Sequence, residues 1–151
     1  MKINMIITIL KGCPGSGKST WASKVVKYDA STVIVSRDSI RASLGKYWVP
    51  SRENLVTDIE YSMIEKALLR RYNVIIDATN LNKTFLQRLE DHILSISTFN
   101  NINVNIIYKE FRVPLWKLVF RDVKRGLFGG RYVGYKVIKS FYDRYYKNTR
   151  T

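Results

Sequence analysis

The 151 residues hold one cysteine, one histidine and three prolines. With Cys13 alone, an intramolecular disulfide is excluded, and such sparing thiol use suits a reducing, cytoplasmic setting. His92 has no second imidazole to pair with, so zinc sites of the usual Cys/His kind find no support. It reads instead as a surface or capping residue. Acids are scarce too, 12 Asp+Glu against 26 Lys+Arg, a formal charge of +14. No apolar run reaches the length of a membrane span, and there is no repeat or low-complexity tract. The first apolar run, Met5-Ile6-Ile7-Thr8-Ile9-Leu10, leads into glycines and not into a small-residue cleavage site, so it reads as a strand and not a signal peptide. Hydrophobic residues make up 46%, enough for one core, and the reading is a single domain over residues 1–151.

The few acids are also unevenly placed. From Lys109 to Thr151 there are 12 basic and 3 acidic residues, a net +9, against +5 for residues 1–108. An electropositive C-terminal third draws polyanions and raises their encounter rate. A solubilising basic surface is the competing reading.

What the chain does have is Gly12, Cys13, Pro14, Gly15, Ser16, Gly17, Lys18, Ser19 and Thr20. This is G-x-x-x-x-G-K-[ST], placed after a strand and before a helix. The glycines let several backbone N–H groups point at one spot. The helix adds the positive end of its dipole there. Lys18 brings a charge to the outer phosphates, and the Ser19 hydroxyl can ligate Mg²⁺. The motif implies a nucleoside triphosphate site, ATP with Mg²⁺, and leaves the reaction open. Cys13 lies near a helix N-terminus, where a thiol can become acidic; it also reads simply as a small residue that fits the loop.

Strand and helix patterns alternate along the chain. Strands are expected at Met5–Leu10, Thr32–Ser36, Asn73–Asp77 and Asn103–Phe111. Helices are expected at Lys18–Val26, Asn54–Arg71, Asn82–Ser97, Pro114 to about Lys124, and Tyr135–Lys147, with a short helix or turn at Arg37–Gly45. The inward faces are read as Trp21, Val25 and Val26; Val56, Ile59, Met63 and Ala67 with Ile64 and Leu68; Phe85, Leu86, Leu89, Ile93 and Ile96; and Val137, Phe141 and Tyr145. Tyr142 and Tyr146 stay open between packing and base stacking. The pattern predicts an α/β fold with four main strands in a parallel sheet and helices on both faces. In such sheets ligands bind beyond the carboxyl ends of the strands.

At those ends stand Asp38 and Arg41 after the second strand, Asp77 at the end of the third, and Arg121 and Arg125 on the helix after the fourth. Asp38 can take a proton from an acceptor hydroxyl, or can cap the short helix that follows. Arg41, three residues on, can share its face. Asp77 fits a Mg²⁺-organising acid or a residue that ties down a turn. Arg121 and Arg125, four apart, can neutralise charge on a transferring phosphoryl group from a glycine-flanked lid, or be two solvated cations.

Taken together, GCPGSGKSTW, S-R-D-x-x-R (36–41), T-N-L-N (79–82) and V-P-x-x-x-L-x-x-R-x-x-x-R-G (113–126) resemble the 5′-kinase domain of the phage-type polynucleotide kinase–phosphatase family. The resemblance runs from Met5 to about Lys147. It implies an adenylate-kinase-like P-loop fold and transfer of the ATP γ-phosphate to a 5′-hydroxyl end of DNA or RNA, in the host cytoplasm if the chain is phage-encoded. It assigns phosphates and Mg²⁺ to Lys18 and Ser19, the general base to Asp38, and the phosphate on the 3′ side of the acceptor to Arg41. Arg125, with Arg121, grips the ATP phosphates. The family's pattern has an acid directly before T-N-L-N; here Ala78 stands there and the acid is Asp77. No D-x-D of a phosphatase and no K-x-D-G of a nucleotidyl transferase occurs, which leaves room for a separate phosphatase or ligase as partner, and for homo-oligomers. The competing function is phosphorylation of a small-molecule hydroxyl, which has no need of so basic a C-terminal third.

Overall fold

A computed structural model describes residues 3–146. The elements run β1 (Asn4–Gly12), α1 (Lys18–Tyr28), β2 (Thr32–Ser36), α2 (Arg37–Ser43), a 3₁₀ turn (Pro50–Arg52) and α3 (Glu53–Leu69). They continue with β3 (Asn73–Asp77), α4 (Lys83–Phe99), β4 (Asn103–Phe111), α5 (Leu115–Leu127) and α6 (Tyr135–Tyr146). The last helix matches its expected start; the expected final residue, Lys147, lies outside the described residues. No helix among the described residues is long and apolar enough to cross a membrane.

All four strands are parallel, in the order β2-β3-β1-β4. β1 is central and pairs Ile7 with Val74 on one side and with Ile106 on the other. The sheet's apolar core comes from Met5, Ile7, Ile9 and Leu10 of β1 and Val74, Ile75 and Ile76 of β3, which supply both of its faces. One face packs Met5, Ile7, Ile9, Val74 and Ile76 against α3 and α4. The other packs Leu10 and Ile75 against Ala22 of α1. A third cluster joins α5 and α6 through Leu118 and Ile138, with Cys13 of the loop beneath them.

Several inward positions differ from the sequence reading. On α3 the buried stripe is Val56, Glu60, Ile64 and Leu68, and Met63 is 40% exposed. A charged residue holds the second place because Arg37 of α2 meets it inside the protein. Phe85 sits in the first turn of α4, past the ends of the strands, and is 60% exposed. On α6 the buried residue is Ile138, with Phe141, Tyr142 and Tyr146 packed on its cluster, while Val137 is exposed. This places Tyr142 and Tyr146 in packing. His92 stacks on Tyr61 between α4 and α3, ring centroids 4.3 Å apart.

Candidate active site

The glycine loop bends where expected, with Gly15 and Gly17 at φ of 81° and 99°, in the left-handed region that side chains avoid. Gly17 is the N-cap of α1, and no side chain caps that end. Its first N–H groups are thus open to an anion, with the helix dipole behind them. Lys18 is buried and folds back over the loop, its Nζ donating to Gly12 O (3.0 Å), Cys13 O (2.9 Å) and Ser16 Oγ (3.3 Å). Burial lowers its pKa, against the attraction of Asp77, Cys13 and Asp38. An ammonium in that state gains more from a phosphate than a solvated lysine does. Cys13 is buried, and burial pushes its thiol up, with Lys18 opposing. It packs, and it is not primed as a nucleophile.

Ser19 and Asp77 meet: Ser19 Oγ donates to Asp77 Oδ2 at 2.7 Å. A hydroxyl and a buried carboxylate at the mouth of the loop are the hard oxygen donors that Mg²⁺ takes. Asp77 reaches the loop from the end of β3, one residue before the position of the family's acid. The T-N-L-N segment has a structural task. Asn80, at φ 51°, donates from Nδ2 to Leu10 O at 2.6 Å, and Gly12 N donates to Thr79 O. The segment clasps the ends of β1 and β3. Asn82 caps α4, accepting from Thr84 N and Phe85 N.

At the end of β2 the cap question resolves. Ser36 is the N-cap of α2, accepting from Ser39 N at 3.3 Å, so Asp38 is released from that role. Its Oδ1 accepts from Tyr47 Oη (2.5 Å) and Arg41 Nη1 (2.9 Å). Its Oδ2 faces Arg131 Nη1 at 3.4 Å. Burial raises the Asp38 pKa, but the Tyr47 bond and the charges of Arg131 and Arg41 outweigh it and hold the carboxyl below its usual range. Arg41 is anchored from behind. Its Nε and Nη2 each donate to Glu53 at 2.8 Å, a two-pronged pairing of the strong kind. Arg37 ties Glu53 to the buried Glu60, donating at 3.1 Å and 2.5 Å. Burial raises the Glu60 pKa, against the pull of Arg37.

Both α5 arginines reach the loop region. Arg121 Nη1 donates to Gly15 O at 3.1 Å. Arg125 lies beside Gly15 and pairs with Asp122 at 3.3 Å. Asp122, 1% exposed, also accepts from Val133 N and Gly134 N, both at 2.8 Å. It holds the glycine-rich segment against α5.

The structure therefore gathers Lys18, Ser19, Asp77, Arg121 and Arg125 at the loop, and Asp38 with Arg41 beside it. Tyr47, Glu53, Asp122 and Arg131 escaped the sequence reading. Two of them left a trace: Asp122 is one of three acids in the basic third, and Arg131 stands alone among glycines. Tyr47 and Glu53 carry no motif.

A triphosphate loop that shares its rim with an ionised, uncapped carboxylate makes this a P-loop kinase, a phosphotransferase. The chain belongs to the AAA domain family, whose profile matches residues 7–147. It is 28% identical over 144 residues to the L-seryl-tRNA(Sec) kinase of Methanococcus maripaludis, covering 93% of this chain and 52% of that protein. In structure it is similar to a chain of the Pnkp1/Rnl/Hen1 RNA repair complex, with a TM-score of 0.75 and 28% identity, covering 97% of this chain and 46% of that one. A gluconokinase of Sinorhizobium meliloti shares the fold at a TM-score of 0.53 and 12% identity, covering 95% and 76%. The chain thus spans about half the length of the seryl-tRNA kinase and of the repair-complex chain.

Proposed function

We propose that this domain transfers the γ-phosphate of ATP to the 5′-hydroxyl end of DNA or RNA, in the healing of broken nucleic-acid ends. The observation that carries the reading is Asp38. It is ionised, free of capping duty, half-exposed at the end of β2, and its charge reaches Lys18 of the nucleotide loop. Likeness to a chain of an RNA repair complex supports the choice of acceptor, as does the basic C-terminal third.

In this mechanism the loop N–H groups and Lys18 bind the triphosphate, and Arg121 and Arg125 offset charge on the moving phosphoryl group. Ser19 and Asp77 would hold Mg²⁺, which supplies charge neutralisation at the phosphates when bound. Asp38 takes the proton of the acceptor hydroxyl. The acceptor oxygen bonds to the γ-phosphorus, the bond from that phosphorus to the β–γ bridging oxygen breaks, and ADP leaves with the electron pair. Resemblance to a kinase named for L-seryl-tRNA(Sec) favours a second reading, transfer to a hydroxyl borne on tRNA. The test is incubation with labelled ATP, Mg²⁺ and either a 5′-OH oligonucleotide, seryl-tRNA or a sugar. Label on the oligonucleotide alone supports the proposal; label on seryl-tRNA alone or the sugar alone overturns it.

A further inference from the structure

Arg131 lies in none of the motifs, yet it touches the residue on which the mechanism turns. The segment between α5 and α6 carries it from the nucleotide side to the acceptor side. Gly130 presses on Arg125 so closely that a Cβ there would come within 2.4 Å of Arg125 Cγ. The two amides after Tyr132 are held by Asp122. Between these anchors the Arg131 guanidinium lies 4.1 Å from the centre of the Tyr47 ring and reaches Asp38 Oδ2.

The two oxygens of Asp38 are not equivalent. Oδ1 is taken by Tyr47 and Arg41. Among the described residues, Arg131 is the group paired with Oδ2. A guanidinium against Oδ2 competes with a substrate hydroxyl for that oxygen and lowers its basicity, so Asp38 becomes the better base when one of the two cations moves away. Arg41 is forked onto Glu53 by two 2.8 Å bonds, and moving it would unpair an acid that Arg37 also uses. Arg131 meets Asp38 by one contact at 3.4 Å, beside its packing on the Tyr47 ring, and its side chain is 37% exposed. It is the cation with the greater freedom to move, and a second anion beside it would compete with Asp38 for the guanidinium.

We propose that Arg131 is a substrate-binding residue: an anionic group flanking the acceptor hydroxyl draws its guanidinium off Asp38 Oδ2, and the exchange frees the oxygen that accepts the hydroxyl proton. The inference rests on the polynucleotide reading above, in which the flanking anion is the phosphate on the 3′ side of the terminal nucleoside; Arg131 would share that phosphate with Arg41, the residue to which the resemblance assigns it. It makes that phosphate part of what switches the base on, in addition to its contribution to binding. The same segment joins Arg125 to Arg131, so acceptor and nucleotide grips share one strap.

The test compares wild type with Arg131→Gln and Arg131→Lys. Equilibrium binding is measured with a nucleoside 3′-phosphate bearing a free 5′-hydroxyl and with the bare nucleoside, neither of which needs turnover. Transfer is then followed with a 5′-OH dinucleotide and with the nucleoside. Loss of one charge-assisted phosphate contact is expected to weaken binding of the 3′-phosphate about tenfold or more, with bare-nucleoside binding and KM for ATP unchanged and part of the loss recovered by Arg131→Lys. A thermal melt close to wild type shows that the variant is folded. Equal weakening for both ligands, or no change for either, overturns the proposal. Absence of transfer by wild type to any nucleic acceptor sinks the polynucleotide reading instead, while the binding arms still decide on Arg131.

Discussion

In the proposed mechanism the chemistry rests on two side chains with opposite tasks, Lys18 for the nucleotide and Asp38 for the acceptor. Asp38→Asn is expected to keep ATP affinity and to lower the transfer rate by ~10²–10⁴; a variant that keeps more than a tenth of the rate would mean that Asp38 is not the base. Lys18→Met is expected to lose transfer to long and short acceptors alike, read from initial rates with each. The pH profile follows from the surroundings of Asp38. Although burial raises its pKa, Tyr47, Arg131 and Arg41 hold it below the usual carboxylate value, and Lys18 faces it from the loop. The base form is the carboxylate, which is present above the folded pKa. The acid limb of activity should therefore lie below that of a carboxylate without these partners. Arg131→Gln removes one of these cations and should move the acid limb of kcat/KM upward. An unmoved limb would separate Arg131 from Asp38 electrostatically.

At the level of elements, α5 is the unusual one. Leu118 and Asp122 are buried, while Trp116, Phe120 and Leu127 are 71%, 63% and 78% exposed. The helix turns its aromatics outward because Arg121 and Arg125 must face the loop and an acid must sit beneath them. Asp122→Ala would leave two backbone N–H groups and Arg125 without their partner. Each such loss costs about 1–3 kcal/mol, so Tm should fall by roughly 5 °C or more at about 2–4 °C per kcal/mol. KM for ATP should rise with it. A variant with an unchanged melt would show that the segment after α5 is held by something else. By contrast, Phe120→Asp should leave stability within about 0.5 kcal/mol, as exposed substitutions do. A large loss in Tm, together with a change in mass by light scattering, would place α5 in an interface between copies.

For the whole molecule the relevant quantity is its charge. A net +9 over residues 109–151 should give the apparent KM for an oligonucleotide a salt dependence of about 0.7 in log–log slope for each phosphate neutralised on a single strand. KM for ATP should change less. Lys139 is bonded to Asp143 at 2.5 Å, so a charge reversal at Lys136 is the cleaner probe; it should flatten the oligonucleotide slope and leave kcat alone. Identical salt responses for ATP and oligonucleotide would reduce the basic region to a solvated surface.

By itself the sequence determined the element order, the parallel sheet and the bend of the glycine loop into α1. Those depend on local rules: aliphatic runs make covered strands, and glycines with a lysine and a serine before a helix make a phosphate loop whatever surrounds them. It also placed Asp38, Arg41, Asp77, Arg121 and Arg125 at strand ends or on the next helix. Only the tertiary structure decided what each of them touches. Ser36 takes the cap that could have occupied Asp38, Glu53 fixes Arg41 from 12 residues away, and Asp77 finds Ser19 across 58. Arg131 arrives at Asp38 from 93 residues further along the chain. Pairings of that range leave no periodicity in the sequence, because they depend on how the strands line up and on which buried charge needs a partner. For the same reason Glu60 could displace an apolar residue from the inner stripe of α3. Its cost of burial is met by Arg37, which is adjacent only after folding.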